Sequence, residues 1–326
     1  MQNKPLDVNY CAVNKEKILS SKPKLNEENL NYFYNWLIER YKIHIEKDIK
    51  KSPPPWTKDP ILSKYRFTNV RREHDKETKW LIKSICENPS LNYENKILNI
   101  ILFRLINKSK TFEIFGPINF NNLDLDEIKE KLSTFSKGNP KYIYFSNAFY
   151  TSGPKSTANK LFGKKNNVTN MIKLVSRYKE LQLMDKIRES KTQKEVYETL
   201  LKLEGIGSFL AYQIFVDFTY LSDFPFSENE FVIAGPGCKN GLNLLFTDFS
   251  ELSYEEALFW LRDNQNKVFR KFNYNPKEIF NDLPNEERHL NLMSLENCMC
   301  ELSKYIRAIK ELGRPRIKYD YNQRKI

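Results

Sequence analysis

Apolar residues recur at helical spacing along most of this chain. From Asn26, a good N-cap residue, "NEENLNYFYNWLIERYKIHIEKDIKK" sets Leu30, Phe33, Tyr34, Leu37 and Tyr41 on one helical face. "SPPPWTKDP" then halts the run, because proline lacks a backbone N–H and fixes φ. Comparable patterns predict helices over about 75–88, 94–107, 124–134, 168–182, 193–203, 208–221, 254–270 and 294–312, with a Ser253-x-x-Glu256 capping box ahead of the seventh of these. Period-two alternation is scarce, so the expected class is all-α. Residues 1–25 are polar and aperiodic and read as a tail. Residues 26–320 read as one domain of two helical lobes around a central cleft, and 321–326 as a second tail. The long polar, basic stretch "SNAFYTSGPKSTANKLFGKKNN" reads as a surface loop over that cleft.

Composition narrows the partners. With 326 residues, 40% of them hydrophobic, the chain can bury a large core, and 53 Lys and Arg against 41 Asp and Glu leave a formal charge of +12. A polyanion is the expected partner, double-stranded DNA above all. The five cysteines, at 11, 86, 238, 298 and 300, form no CxxC pair and fit a reducing compartment. Cys298 and Cys300 point to different faces of a predicted helix, and His44, His74 and His289 lack paired-ligand spacing, so neither a metal nor a cofactor is expected. No stretch has the apolar core of a signal peptide or the length of a membrane span. A cytoplasmic monomer without membrane contact follows as an expectation.

Three stretches carry candidate chemistry. In "KLEGIGSFLAYQIFVDFTY" (202–220) Gly205 can take positive φ after one helix, Ile206 can plug two helices together, and Gly207 lets a phosphate approach the amides of a helix beginning at Ser208. A ligand-free helix–helix turn would carry the same glycines. On the second helix Asp217, with Gln213 one turn before it, sits among Phe215, Val216 and Phe218. A carboxylate there either has catalytic work or is held by a backbone group or an arginine. "FVIAGPGCKNGL" (231–242) gathers Gly235, Pro236, Gly237 and Gly241 into an expected tight loop, with Lys239 and Asn240 available to a phosphate or a base edge. "PPWTKDPILSKYRFTNVRREHD" interleaves Trp56, Tyr65 and Phe67 with Arg66, Arg71 and Arg72, offering stacking faces and phosphate donors.

"WTKDPILSKYRFTNVRREHD", "GIGSFLAYQIFVDFTY", "AGPGCKNGL" and "CMCELSKYIRAIKELGRPRIKY", in that order over about residues 56–319, resemble the helical domain of phage 5-hydroxymethyluracil DNA kinases and the alpha-glutamyl/putrescinyl thymine pyrophosphorylase family. The resemblance implies a fold similar to helix-hairpin-helix DNA glycosylases and a link to hypermodified thymine. It puts Arg66, Asn69, Asp75, Gln213, Asp217, Gly235, Gly237, Lys304 and Tyr305 on motif positions. Two departures stand out. "LFGKKNN" has Lys165 where a phosphate-binding loop has Ser or Thr, and Ala158 where its first glycine belongs. Phe209 stands where bifunctional glycosylases of the hairpin class carry their lysine, which argues against lyase chemistry. The leading expectation is a monofunctional DNA glycosylase that flips out a 5-hydroxymethylpyrimidine derivative, in phage DNA modification or defence. Asp217, Asn69, Arg66, Asp75 and Gln213 are its catalytic candidates; if Asp217 fails, Asp223 or Glu230 also qualifies. The DNA-binding candidates are Gly205, Ile206, Gly207, Ser208, Gly235, Gly237, Lys239, Asn240, Arg71 and Arg72. Two alternatives stay open: a transferase that hypermodifies 5-hydroxymethyluracil, an amine or amino acid replacing a phosphate or pyrophosphate, and a non-catalytic module that binds modified DNA.

Overall fold

The computed structural model describes residues 13–146, 152–163, 167–313, 315 and 317–319, and the chain divides into two compact units, one from residues 1–72 with 232–326 and the other from 73–231. The first unit opens with α1 (Lys15–Ser20), β1 (Lys24–Leu25) and α2 (Glu27–His44). The second unit holds α3 (Lys76–Leu81), α4 (Tyr93–Ile106), α5 (Ser109–Phe115), α6 (Leu125–Gly138), α7 (Ser152–Phe162), α8 (Asn167–Glu180), α9 (Leu183–Glu189), α10 (Gln193–Leu201) and α11 (Ser208–Phe218). The chain returns to the first unit for α12 (Pro236–Leu245), β2 (Phe246–Asp248), α13 (Tyr254–Val268), α14 (Pro276–Ile279) and α15 (Leu292–Ile309). The antiparallel pair of β1 with β2 is the only sheet among the described residues, so the all-α expectation holds.

In the first unit, α2 starts where expected because the Asn26 side chain accepts from Asn29 N at 2.9 Å. It buries Phe33, Trp36 and Leu37 and packs on α15. The capping box of α13 closes in both directions, Glu256 N donating to Ser253 Oγ at 3.1 Å and Ser253 N to Glu256 Oε2 at 2.9 Å. Lys17 Nζ reaches the same carboxylate at 2.9 Å and fastens α1 to α13. The N-terminal segment from Lys15 onward is therefore built into the unit and is not a plain tail; residues 1–12 and 320–326 lie outside the described residues.

"AGPG" is not the expected loop. It is the start of α12, with Gly235 as N-cap and Pro236 in the first turn, where a missing N–H costs nothing. The glycines serve helix packing: a Cβ on Gly237 would lie 2.4 Å from Cys300 Sγ, and one on Gly241 2.0 Å from the Met299 carbonyl oxygen. Four residues apart on one face, they let α12 lie directly against the backbone of α15.

The second unit is organised around α4, whose Ile97, Leu98, Ile100, Ile101, Leu102 and Phe103 are all buried, against α8 and α11 among others. A helix apolar on every side must be surrounded. The expected surface loop after Phe145 also changes character. Residues 152–162 form α7, which packs along α8, while 147–151 and 164–166, with Lys164 and Lys165, lie outside the described residues.

Candidate functional site

Within the second unit, α10 and α11 are joined by a short turn in which Gly205 takes φ +84°. A Cβ at Gly205 would meet Thr157 Oγ1 at 2.9 Å and Pro154 Cα at 3.0 Å, so this glycine answers both to its dihedral and to the close approach of α7. Ile206 is buried. Gly207 is different: its φ is ordinary, and a Cβ there would meet nothing within 4 Å. It is the N-cap of α11 and supplies no capping side chain. Open space thus lies beside Gly207, where α11 begins, and a helix N-terminus is where an anion is favoured.

Asp217 lies on the same helix but is fully buried. Its Oδ1 accepts from Arg104 Nη2 at 2.8 Å and its Oδ2 from Arg104 Nε, a two-pronged pair between α11 and α4. Arg104 Nη1 also donates to Asn107 Oδ1 at 2.9 Å and Nη2 to Thr78 Oγ1 at 3.4 Å. Gln213, one turn earlier, is buried as well, and Asp75 stands at the N-cap position of α3 without a side-chain capping bond.

In the first unit the segment Phe67–Val70 lies along α15. Asn297 Nδ2 donates to the Asn69 carbonyl at 3.1 Å, Thr68 N donates to Glu301 Oε2 at 3.3 Å, and the rings of Phe67 and Tyr305 meet edge to face with centroids 6.1 Å apart. From α2, the buried Arg40 donates to Asn69 Oδ1 at 2.7 Å and to the Phe67 carbonyl at 3.2 Å. Tyr305 donates to Asp59 Oδ2 at 2.6 Å beside a depression of about 450 Å³, to which Glu39, Lys42 and Lys58 also contribute. Arg66 points outward over the Tyr319 ring, at 5.5 Å. Arg71 and Arg72 are buried, and Arg71 Nη1 donates to the carbonyls of Glu287 at 3.2 Å and His289 at 2.8 Å. Neither side chain lies on an exposed phosphate track. Lys239 and Asn240 are exposed on α12, Lys239 sitting 5.3 Å from the centre of the Tyr254 ring.

A carboxyl outside the sequence-based candidates stands at the start of α12. Glu296 of α15 is buried and accepts from Gly235 N at 3.3 Å, and a Cβ on Gly235 would sit 3.2 Å from Glu296 Oε1. Burial raises its pKa to about 7, against the opposing pull of the Gly235 N–H, Arg72 and Lys304. A carboxyl that titrates near neutrality can hold or pass a proton. The sequence-based candidates therefore fall into two groups: Arg66, Asn69, Arg71, Arg72, Gly235, Gly237, Lys239 and Asn240 in the first unit, and Asp75, Gly205 to Ser208, Gln213 and Asp217 in the second.

Residues 27–314, nearly the whole described chain, match the family described as "5-hmdU DNA kinase, helical domain", and the chain belongs to that family. It is similar to the 5-hmdU DNA kinase of Bacillus phage SP10, with 26% identity over 288 residues. That alignment covers 84% of this chain and 44% of the phage protein, so the chain spans less than half the length of this relative. No solved structure matches the chain. Among the described residues no helix is long and apolar enough to cross a membrane.

Proposed function

We propose that the chain recognises 5-hydroxymethyluracil, or an ester of it, in double-stranded DNA and works in its hypermodification by group transfer on the ester, the nitrogen of an amine or amino acid forming a C–N bond at the 5-methylene carbon as the C–O bond breaks and phosphate or pyrophosphate leaves. The match of residues 27–314 to the helical domain of 5-hmdU DNA kinases carries this reading. The helix-hairpin-helix at Gly205–Ser208 is assigned to the DNA backbone, with the α11 amides beside Gly207 on a phosphate. Lys239 and Asn240 are further candidates for the nucleic-acid face. The modified nucleotide leaves the base stack to react.

Excision was the leading expectation from sequence, and the geometry at Asp217 supports it less well. Breaking an N-glycosyl bond calls for a carboxylate turned toward the sugar or the attacking water. Both oxygens of Asp217 are turned to Arg104 inside the second unit. Group transfer needs no carboxylate at the sugar. It needs a group that manages a proton at the 5-substituent, and Glu296, titrating near neutrality against the Gly235 amide, is the residue assigned to that work. Asn69 is held by Arg40 and Asn297 and is assigned to positioning; Arg66 is the exposed arginine of its block.

The test is nucleoside mass spectrometry on DNA carrying the pyrophosphate ester of 5-hydroxymethyluracil, incubated with the protein and a mixture of amines and amino acids. Group transfer gives a base whose mass has changed while its bond to the sugar is intact. Release of free base would restore excision. Unchanged nucleosides with retained DNA binding would leave recognition as the chain's own contribution.

A further inference from the structure

Away from the hairpin, the second unit has a cavity of about 740 Å³ between α6, residues 143–145, and the starts of α7 and α8. Lys129, Ser133, Ser136 and Lys137 enter it from one face of α6, at the spacing i, i+4, i+7, i+8. Lys155 of α7 faces them, its ammonium 3.9 Å from the centre of the Phe145 ring. Asn167 and Val168 bring the first turn of the 14-residue α8 to the wall.

Charge in this cavity is one-sided. No Asp or Glu lines it, and among the described residues no carboxylate lies within ion-pair distance of Lys137 or Lys155. Lys129 is paired with Asp126 at 2.6 Å, which leaves Lys137 and Lys155 as the lysines available to a ligand. Partial burial lowers the Lys155 pKa. The floor is apolar and aromatic, with Leu132, Tyr144, Phe145 and Val168. Lysines without a carboxylate neighbour, two serine hydroxyls and an aromatic wall together suit a phosphate group attached to a flat or apolar body.

We propose that this cavity binds a phosphate-bearing ligand through Lys137, Lys155 and the Ser133 and Ser136 hydroxyls. The phosphate has two sources, a small phosphorylated molecule or the DNA backbone itself. The size, and the aromatic wall of Tyr144 and Phe145 beside the lysines, favour the small molecule. This site does not depend on the function proposed above, since none of its residues belongs to the hairpin or to the Glu296 cluster.

The experiment titrates the full chain with inorganic pyrophosphate by calorimetry at constant ionic strength, and with a short unmodified duplex by fluorescence anisotropy. The proteins compared are wild type, the double variant K137Q/K155Q, and S133D, which sets a negative charge on an exposed position of α6. Pyrophosphate should bind the wild type with one-to-one stoichiometry. Losing two charged donors should weaken it about a hundredfold, and S133D should weaken it comparably, with circular dichroism and Tm unchanged. Pyrophosphate binding lost while duplex binding persists identifies the small-molecule source; loss of both, with pyrophosphate competing against duplex, identifies the backbone. Wild type that fails to bind pyrophosphate, or S133D that binds it as tightly as wild type, overturns the proposal. S133D decides the matter even if the double lysine variant does not fold.

Discussion

Asparagine at position 217 would leave the buried guanidinium of Arg104 facing an amide. In the native protein Asp217 offers one oxygen to Nη2 at 2.8 Å and the other to Nε, while Asn107 and Thr78 take further Arg104 donors. The amide keeps a single acceptor for those two N–H groups, and its own NH₂ confronts the other as donor against donor. Removing one partner of a buried pair costs about 3–5 kcal/mol, because the remaining charge is left without compensation. That is a large part of the roughly 5–15 kcal/mol that holds a folded domain. With a urea m-value of about 2 kcal/mol per M, the unfolding midpoint should fall by about 2 M at unchanged m. Arg104→Met combined with Asp217→Leu fills the same space without charge and should recover most of that loss, making the double variant more stable than Asp217→Asn alone. Duplex binding by the folded Asp217→Asn protein should match wild type. An Asp217→Asn protein with an unshifted urea midpoint but abolished DNA modification would refute this reasoning and return Asp217 to the chemistry.

The two hairpin glycines should behave oppositely. Gly205→Ala meets both a positive φ and Thr157, and should lower stability by about 1–3 kcal/mol in urea unfolding. Gly207→Leu projects into open space; its stability should stay within about 1 kcal/mol of wild type while duplex affinity falls across all sequences, and equal affinity would remove the hairpin from the DNA interface. Gly241→Ala, with its Cβ placed 2.0 Å from the Met299 carbonyl, forces α12 off α15 and should cost about 3 kcal/mol or more, read as a lower Tm. Glu296 binds its proton more tightly in the folded protein than in the unfolded chain, so its contribution is complete below about pH 4.5 and is lost as pH rises through about 7. Glu296→Gln should flatten that decline and leave the variant more stable than wild type by up to about 3 kcal/mol at pH 8, measured by urea unfolding across pH, while slowing DNA modification.

Most helices were legible because their signals are local. Asn26 and the Ser253–Glu256 box mark helix starts by side-chain chemistry that needs no tertiary context, and both operate as expected. The start of α12 was misread because Gly, Pro and Gly look like a turn when their neighbours are unknown. Their role follows from the backbone of α15, which approaches from about 60 residues away in sequence. The Asp217 partner left a trace that went unused: "KILNIILFRLI" holds one arginine in an apolar helix, and a lone buried cation implies a buried anion elsewhere. Glu296 had no such trace, since its pKa depends on burial and on the Gly235 amide, which only the fold brings together. The "YRFTNVRR" block shows the limit of composition: its arginines suggested a phosphate track, yet Arg71 is spent on carbonyl groups inside its own unit.

Recognition of the modified base is the claim on which the proposed function stands. Equilibrium binding to two duplexes identical except for a single 5-hydroxymethyluracil or thymine, at one fixed salt concentration, measures it directly. Engagement of the added hydroxyl predicts tighter binding of the modified duplex by about tenfold, the worth of one well-made hydrogen bond. Equal affinity for the two duplexes would contradict the account.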